Sequence, residues 1–124
     1  MAKESYYQGK IIKSIISEGG TALTGIFKTG EADIQASYPM IAEGDIRLFH
    51  LVIEVKTPEA YTKLMSGLTE EFGLYKITDD KKLKQHEFLQ IHKLNEVRKR
   101  RGLALIAHSY EQVVDYVNKE FDVK

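Results

Sequence analysis

At 124 residues, 43% hydrophobic and 29% charged, the chain has the size and balance of one globular domain with a substantial core, which argues against a two-domain, disordered or membrane-embedded protein. No apolar run approaches the roughly 20 residues that span a bilayer, and the opening MAKESYYQGK lacks the apolar stretch of a secretory signal, so a cytoplasmic location with no membrane partner is expected. Eighteen basic residues balance eighteen acidic ones and cysteine is absent; disulfides, thiolate nucleophiles and Cys-based zinc sites are excluded, and contact with a polyanion has to come from local clustering of charge.

In chain order, Ile11, Ile12, Ile15 and Ile16 repeat at the spacing of an amphipathic helix face over residues 4 to 18, and Gly19 and Gly20 stop it. Thr21 to Lys28 has the composition of a strand, Thr29-Gly30-Glu31 reads as a turn, and Ala32 to Tyr38 reads as a second strand ended by Pro39. Ile46 to Val55, IRLFHLVIEV, is nearly continuously apolar and rich in branched and aromatic residues, as suits a central strand covered on both faces. Residues 57 to 80 show helical potential from Pro58 to Glu71 but no sustained period, and are expected to form an irregular insertion or lid. Helical spacing resumes from Lys84 to Arg101 through Phe88, Ile91, Leu94 and Val97, with Gly102 as the stop. Leu103 to Ala107 is a short apolar strand, and Ser109 stands three residues before Gln112, a capping spacing for a last helix. Helix, three strands, helix, strand, helix is the order of an α/β protein with helices on the faces of its sheet.

The end of the central strand carries the chemistry. Glu54 and Lys56 flank Val55, and strand alternation puts both on one face with the Val55 side chain turned the other way. Desolvating a carboxylate or an ammonium costs several kcal/mol, so residues so close to a buried strand need partners. One partner is a divalent cation: Mg²⁺ or Mn²⁺ takes hard oxygen ligands, and two carboxylates with a backbone carbonyl, here that of Val55, make an adequate site. Asp33 supplies the second carboxylate if its strand neighbours that of Glu54. Such a site suits phosphodiester hydrolysis, with Lys56 orienting water or stabilising the transition state. Against this stands the plainer reading of Glu54 and Lys56 as an exposed ion pair at a fraying strand end, since Glu-x-Lys recurs by chance.

Four blocks in order, KESYYQGKIIKSIISEGG (3–20), GEADIQA (30–36), LVIEVKTP (51–58) and KQHEFLQIHKLNEVRKRRGLALIAHSYEQVVDYV (84–117), cover about three-quarters of the chain. In them the sequence resembles the small, phage-type members of the VRR-NUC branch of the PD-(D/E)XK nucleases and, more distantly, archaeal Holliday junction resolvases. The resemblance implies a single PD-(D/E)XK domain over residues 1 to 124, with a mixed central sheet flanked by helices. It places Asp33 at the family's metal-binding aspartate, Glu54 at its second acidic ligand and Lys56 at its catalytic lysine. Glu4 falls at a helix glutamate that helps to bind metal, and Gln85 at a glutamine near the active site. It also implies a metal-dependent endonuclease acting on branched DNA, and, by analogy with resolvases, a homodimer, because one small domain presents one active site.

Simpler roles exist for the peripheral candidates. Glu4 complements the dipole of the first helix, Gln85 can be a solvent-facing helix residue, and Lys93, Arg98, Lys99, Arg100 and Arg101 either touch phosphates or stabilise a helix C-terminus. Tyr6 and Tyr7 can stack on bases or pack against the sheet. His50, His86, His92 and His108 form no HExxH motif, and no GxxxxGK[ST] or GxGxxG sequence is present, which disfavours zinc hydrolase, ATPase and dinucleotide chemistry.

Overall fold

The computed structural model describes residues 3–23, 33–42 and 44–121. The elements are α1 (Glu4–Ser17), β1 (Thr21–Leu23), β2 (Ile34–Ala42), β3 (Asp45–Val55), α2 (Pro58–Met65), β4 (Leu68–Glu71), β5 (Leu74–Ile77), a single 3-10 turn (Asp80–Lys82), α3 (Gln85–Lys99), β6 (Leu103–Ala107) and α4 (Tyr110–Phe121). A four-stranded sheet runs in the order β1-β2-β3-β6, and β4 with β5 forms a separate hairpin. The pairs β1–β2 and β2–β3 are antiparallel, whereas β6 lies parallel to β3 with Val55 opposite Ala107. The chain is therefore an α/β protein with a mixed sheet, its parallel pair joined by the crossover that such pairing needs. The rest of the first expected strand and the turn Thr29-Gly30-Glu31 lie outside the described residues. Among the described residues no helix is long and apolar enough to cross a membrane.

Each face of the sheet has its own core. Ile34, Ala36, Leu51, Ile53 and Val55 point to the side where α1 and α4 contribute Ile11, Ile15, Val113 and Val117. On the other side Val52, Ala104 and Ile106 meet Leu64 of α2, Tyr75 of the hairpin, and Ile91 and Leu94 of α3. The near-continuous apolar run of β3 follows from this double coverage, and all five residues from Leu51 to Val55 are buried.

Two expectations are corrected. Pro39 does not end β2, which continues to Ala42 with Pro39 opposite Leu48. Among the described residues β1 pairs with β2 only from Gln35 to Ser37, so Pro39 lies on an edge where a missing N–H leaves no gap in the ladder. Residues 57 to 80 are not irregular but form α2 and the β4–β5 hairpin. Thr57 caps α2 by accepting a hydrogen bond from the Ala60 N–H at 3.2 Å, with Pro58 in the first turn. The hairpin turns through Phe72 and Gly73, both at positive φ (55° and 77°), the signature of a tight primed turn.

The hairpin is fixed rather than free. Asn95 of α3 accepts from the Tyr75 N–H at 2.9 Å and donates to its carbonyl at 3.0 Å, much as a neighbouring strand would. The Tyr75 and Tyr116 hydroxyls accept from the outer-edge N–H groups of Ile106 and Ala104, both at 3.1 Å. Arg98 donates to the Ala104 carbonyl at 2.7 Å with its guanidinium over both tyrosine rings. The free edge of β6 is thereby closed by side chains.

Candidate metal centre

The C-terminal end of β3 meets the residue just before β2 and the first turn of α1. The antiparallel register pairs Ile34 with Ile53, which brings Asp33 beside Glu54. The Asp33 carboxylate is fixed by a main-chain group, accepting from the Val55 N–H at 2.9 Å. Glu4, at the start of α1, completes the cluster, and one carboxylate oxygen from each of Glu4, Asp33 and Glu54 lies within 4.8 Å of the others. Among the described residues no other group of three or more acidic or imidazole side chains is placed to hold a cation. His50, which interrupts the apolar run of β3, is exposed and outside the cluster.

Glu54 is 2% exposed and Lys56 5%, so the pair is not the fraying surface pair that its position at a strand end allows. Burial, a hydrogen bond with Asp33 and the Asp33 charge together push the Glu54 pKa up, to about 10. Glu54 therefore holds a proton at neutral pH while no cation is bound. Glu4 is also raised, first by burial and then by repulsion from Asp33. The Glu54 Oε1 atom is buried without a hydrogen-bond partner, and such an atom calls for an explanation in a folded protein. A cation that accepts oxygen ligands answers both observations: it supplies Oε1 with a partner and removes the need for the proton. The donor set is all oxygen, as Mg²⁺ and Mn²⁺ prefer.

No protein family, curated protein or solved structure matches the chain. Its function has to be read from the site itself.

Lys56 continues the parallel ladder, its N–H donating to the Ala107 carbonyl at 3.0 Å. Its side chain turns to α3, where Nζ lies 3.0 Å from Glu87 Oε2 and donates to Gln90 Oε1 at 3.2 Å. Glu87 uses both oxygens, since Oε1 accepts from the Lys84 N–H at 2.7 Å at the start of α3. Burial alone would raise the Glu87 pKa, but the hydrogen bonds from Lys84 and Lys56 and the Lys56 charge outweigh it, and the carboxyl titrates below its ordinary range. An anchored carboxylate thus holds the ammonium beside the acidic cluster.

Of the candidate residues, the structure brings Glu4, Asp33, Glu54 and Lys56 together, with the Val55 backbone between them. Gln85 is the exposed first residue of α3, and the side chains of that helix which reach Lys56 are those of Glu87 and Gln90. Sequence reasoning missed both. The one available signal was Glu87 three residues after Lys84, a capping spacing that announces a helix start and says nothing about Lys56.

The basic run of α3 divides. Arg98 is turned inside the protein, paired with Glu70 at 3.6 Å and holding the Ala104 and Gly73 carbonyls, with Nη2 buried and without a hydrogen-bond partner. Lys99 and Arg100 lie 3.8 and 4.0 Å from Glu96. Near the cluster's helix, Tyr7 packs against the core while Tyr6 is half exposed, edge-on to Tyr7 and under the Lys10 ammonium.

Proposed function

We propose that the chain is a Mg²⁺- or Mn²⁺-dependent DNA endonuclease with a PD-(D/E)XK fold, acting on branched or otherwise structured DNA. The observation that carries this reading is a buried carboxylate, Glu54, with one oxygen unpartnered, packed between Asp33 and Glu4 with a fixed ammonium alongside. A structural ion pair does not account for that arrangement, because Lys56 is neutralised by Glu87 and not by Glu54.

Asp33, Glu54 and Glu4 would hold the cation, with the Val55 carbonyl as a further oxygen donor. A divalent cation there supplies positive charge against a phosphate and acidifies a bound water. The chain's own residues do the rest. The Val55 N–H keeps the Asp33 carboxylate from rotating away. Glu87 and Gln90 occupy two of the three donors of the Lys56 ammonium, which leaves a third N–H, aimed by the other two, for a phosphate oxygen or the attacking water. Placing that donor in advance spares reorganisation during the reaction, the main source of electrostatic rate acceleration. Cutting both strands of a branch needs two such sites, hence a symmetric dimer.

The test is cleavage of labelled four-way junction, flap, duplex and single-stranded DNA with Mg²⁺ or Mn²⁺ by the wild type, Glu54→Gln and Lys56→Ala. Metal-dependent cutting that disappears in both variants is the expected result. Binding without cutting by the wild type would instead make the chain a DNA-binding module.

A further inference from the structure

Beside the acidic cluster, on the α3 side of the sheet, a cavity of about 660 Å³ opens between α3 and the strands β2 and β3. Its floor includes Gln35 and Val52, which are register partners. Asp33 lies two residues before Gln35, and Glu54 two residues after Val52 on the same face, so the cluster stands one strand repeat from the floor, although none of its side chains lines the cavity. The wall is the C-terminal half of α3, with His92, Lys93, Arg100 and Arg101. Glu96 also lines it but is shared among His92, Lys99 and Arg100. Among the described residues neither Lys93 nor Arg101 has an ion pair. Beyond the cavity the same face of β3 continues to Leu48 and Ile46, which are 67% and 76% exposed.

Arg101 adds an independent observation. Helix α1 ends with Gly19 at φ 92°, its N–H bonded to the Ile16 carbonyl and that of Gly20 to Ile15. Helix α3 ends the same way, with the Arg101 N–H on Arg98 and the Gly102 N–H on Val97. Both are Schellman closures, in which the left-handed residue is usually glycine. In α3 that residue is Arg101, at φ 64°. Gly102, expected to be the stop, instead allows close approach, since a Cβ there would lie 2.6 Å from Val97 Cγ1. A strained backbone that holds an unpaired arginine at a cavity mouth favours a ligand role for the side chain.

From this we infer that the cavity holds a single-stranded segment of DNA continuing from the phosphate at the acidic cluster. Lys93 and Arg101 meet its phosphates, and bases lie over Val52 and His50 in the direction of Leu48. The cavity has the volume of a small-molecule pocket, room for a nucleotide or two. Stacking of bases on aromatic rings with cations along the backbone is the general chemistry of single-strand binding, and the rings that line this cavity are those of Phe49, His50 and His92. The inference rests on the nuclease reading for the continuity of the strand, but its test needs no cleavage.

Fluorescence anisotropy with a labelled short oligothymidylate and a hairpin duplex of equal length, in EDTA, compares the wild type with Arg101→Gly, Lys93→Ala and Lys119→Ala across a salt series. The expected result is tighter binding of the single strand than of the duplex. The log–log salt slope should fall by about 0.7 for each phosphate no longer neutralised in Arg101→Gly and Lys93→Ala, with no fall in Lys119→Ala, an exposed cation of α4 on the other face of the sheet. Arg101→Gly should melt at or above the wild-type temperature, which separates weakened binding from failed folding. Equal or tighter binding of the duplex, or an unchanged slope in both groove variants, overturns the proposal. Single-strand binding that behaves as expected in a protein that cuts nothing supports the groove and removes only the nuclease reading.

Discussion

Glu54 and Glu87 are both buried carboxylates within reach of Lys56, yet the fold treats them oppositely. Glu87 receives two hydrogen bonds, one from a main-chain N–H, and stays ionised; Glu54 has an unpartnered oxygen and acidic neighbours, and keeps its proton. Their pH signatures follow. Because the folded pKa of Glu54 is raised, its contribution to stability is complete below the ordinary carboxylate pKa and is lost as pH rises towards about 10. Glu54→Gln cannot titrate, and its amide can donate to Asp33 as the protonated acid does. In EDTA at pH 8 we expect it to melt higher than the wild type by about 4 °C or more, on the basis that roughly 1 kcal/mol moves a domain of this size by that amount. The difference should vanish near pH 4 in thermal melts at the two pH values. For Glu87 the sign reverses: its stabilisation is complete above the ordinary carboxylate pKa and disappears as pH falls through its lowered value. Glu87→Ala leaves the Lys56 ammonium uncompensated and should cost about 3 kcal/mol at neutral pH, measured by urea denaturation. Replacing both partners, Lys56→Met with Glu87→Leu, should recover most of that stability. On the proposed nuclease reading the double variant should still fail to cut DNA, because that reading uses the lysine held by the pair.

At the scale of elements, α3 does three tasks with three stretches. Its first turns fix Lys56 through Glu87 and Gln90, its middle ties down the hairpin through Asn95, and its end presents Arg101. Asn95 stands in for a strand against Tyr75, so Asn95→Ala leaves a main-chain N–H and a carbonyl without their partners. A cost of about 2 kcal/mol is expected, with amide exchange accelerated in β4 and β5 more than in β3. Retained protection in the hairpin would mean that Arg98 and the Tyr75 hydroxyl hold it unaided. The elements differ in how plainly their sequences announce them, for physical reasons. β3 and β6 are covered on both faces and read as apolar runs; α1 shows its stripe and its Gly-Gly stop. The hairpin was hidden because its turn uses Phe72 where asparagine or aspartate would signal a primed turn, and because its short strands are largely exposed on one side, leaving little alternation. Asp33, Glu54 and Lys56 were legible because strand alternation and neighbouring strands are local facts. Glu87 and Gln90 were not, since their meeting with Lys56 depends on how α3 crosses the sheet, at a separation of more than 30 residues for Gln90.

Across the whole molecule a net charge of zero conceals segregation: acidic groups gather at one end of the sheet face and basic ones along the end of α3. On the proposed reading, the proton on Glu54 occupies the place that a cation would take. A cation that takes Glu54 as a ligand must displace that proton, so metal and proton compete for the same oxygens. Raising the pH from neutrality towards about 10 removes the competitor, and the apparent affinity for Mn²⁺ should climb by up to about tenfold per pH unit. Calorimetric titration at pH 7 in two buffers of different ionisation enthalpy should report release of about one proton per bound ion. The same measurement on Glu54→Gln should show weaker binding and no proton release from this site. By mass action, saturating Mn²⁺ should also raise the wild-type melting temperature, and more at pH 8 than at pH 6. If binding proves flat in pH and releases no proton, Glu54 is ionised before the metal arrives or is not among its ligands, and the assignment of the acidic cluster as the metal centre fails with it.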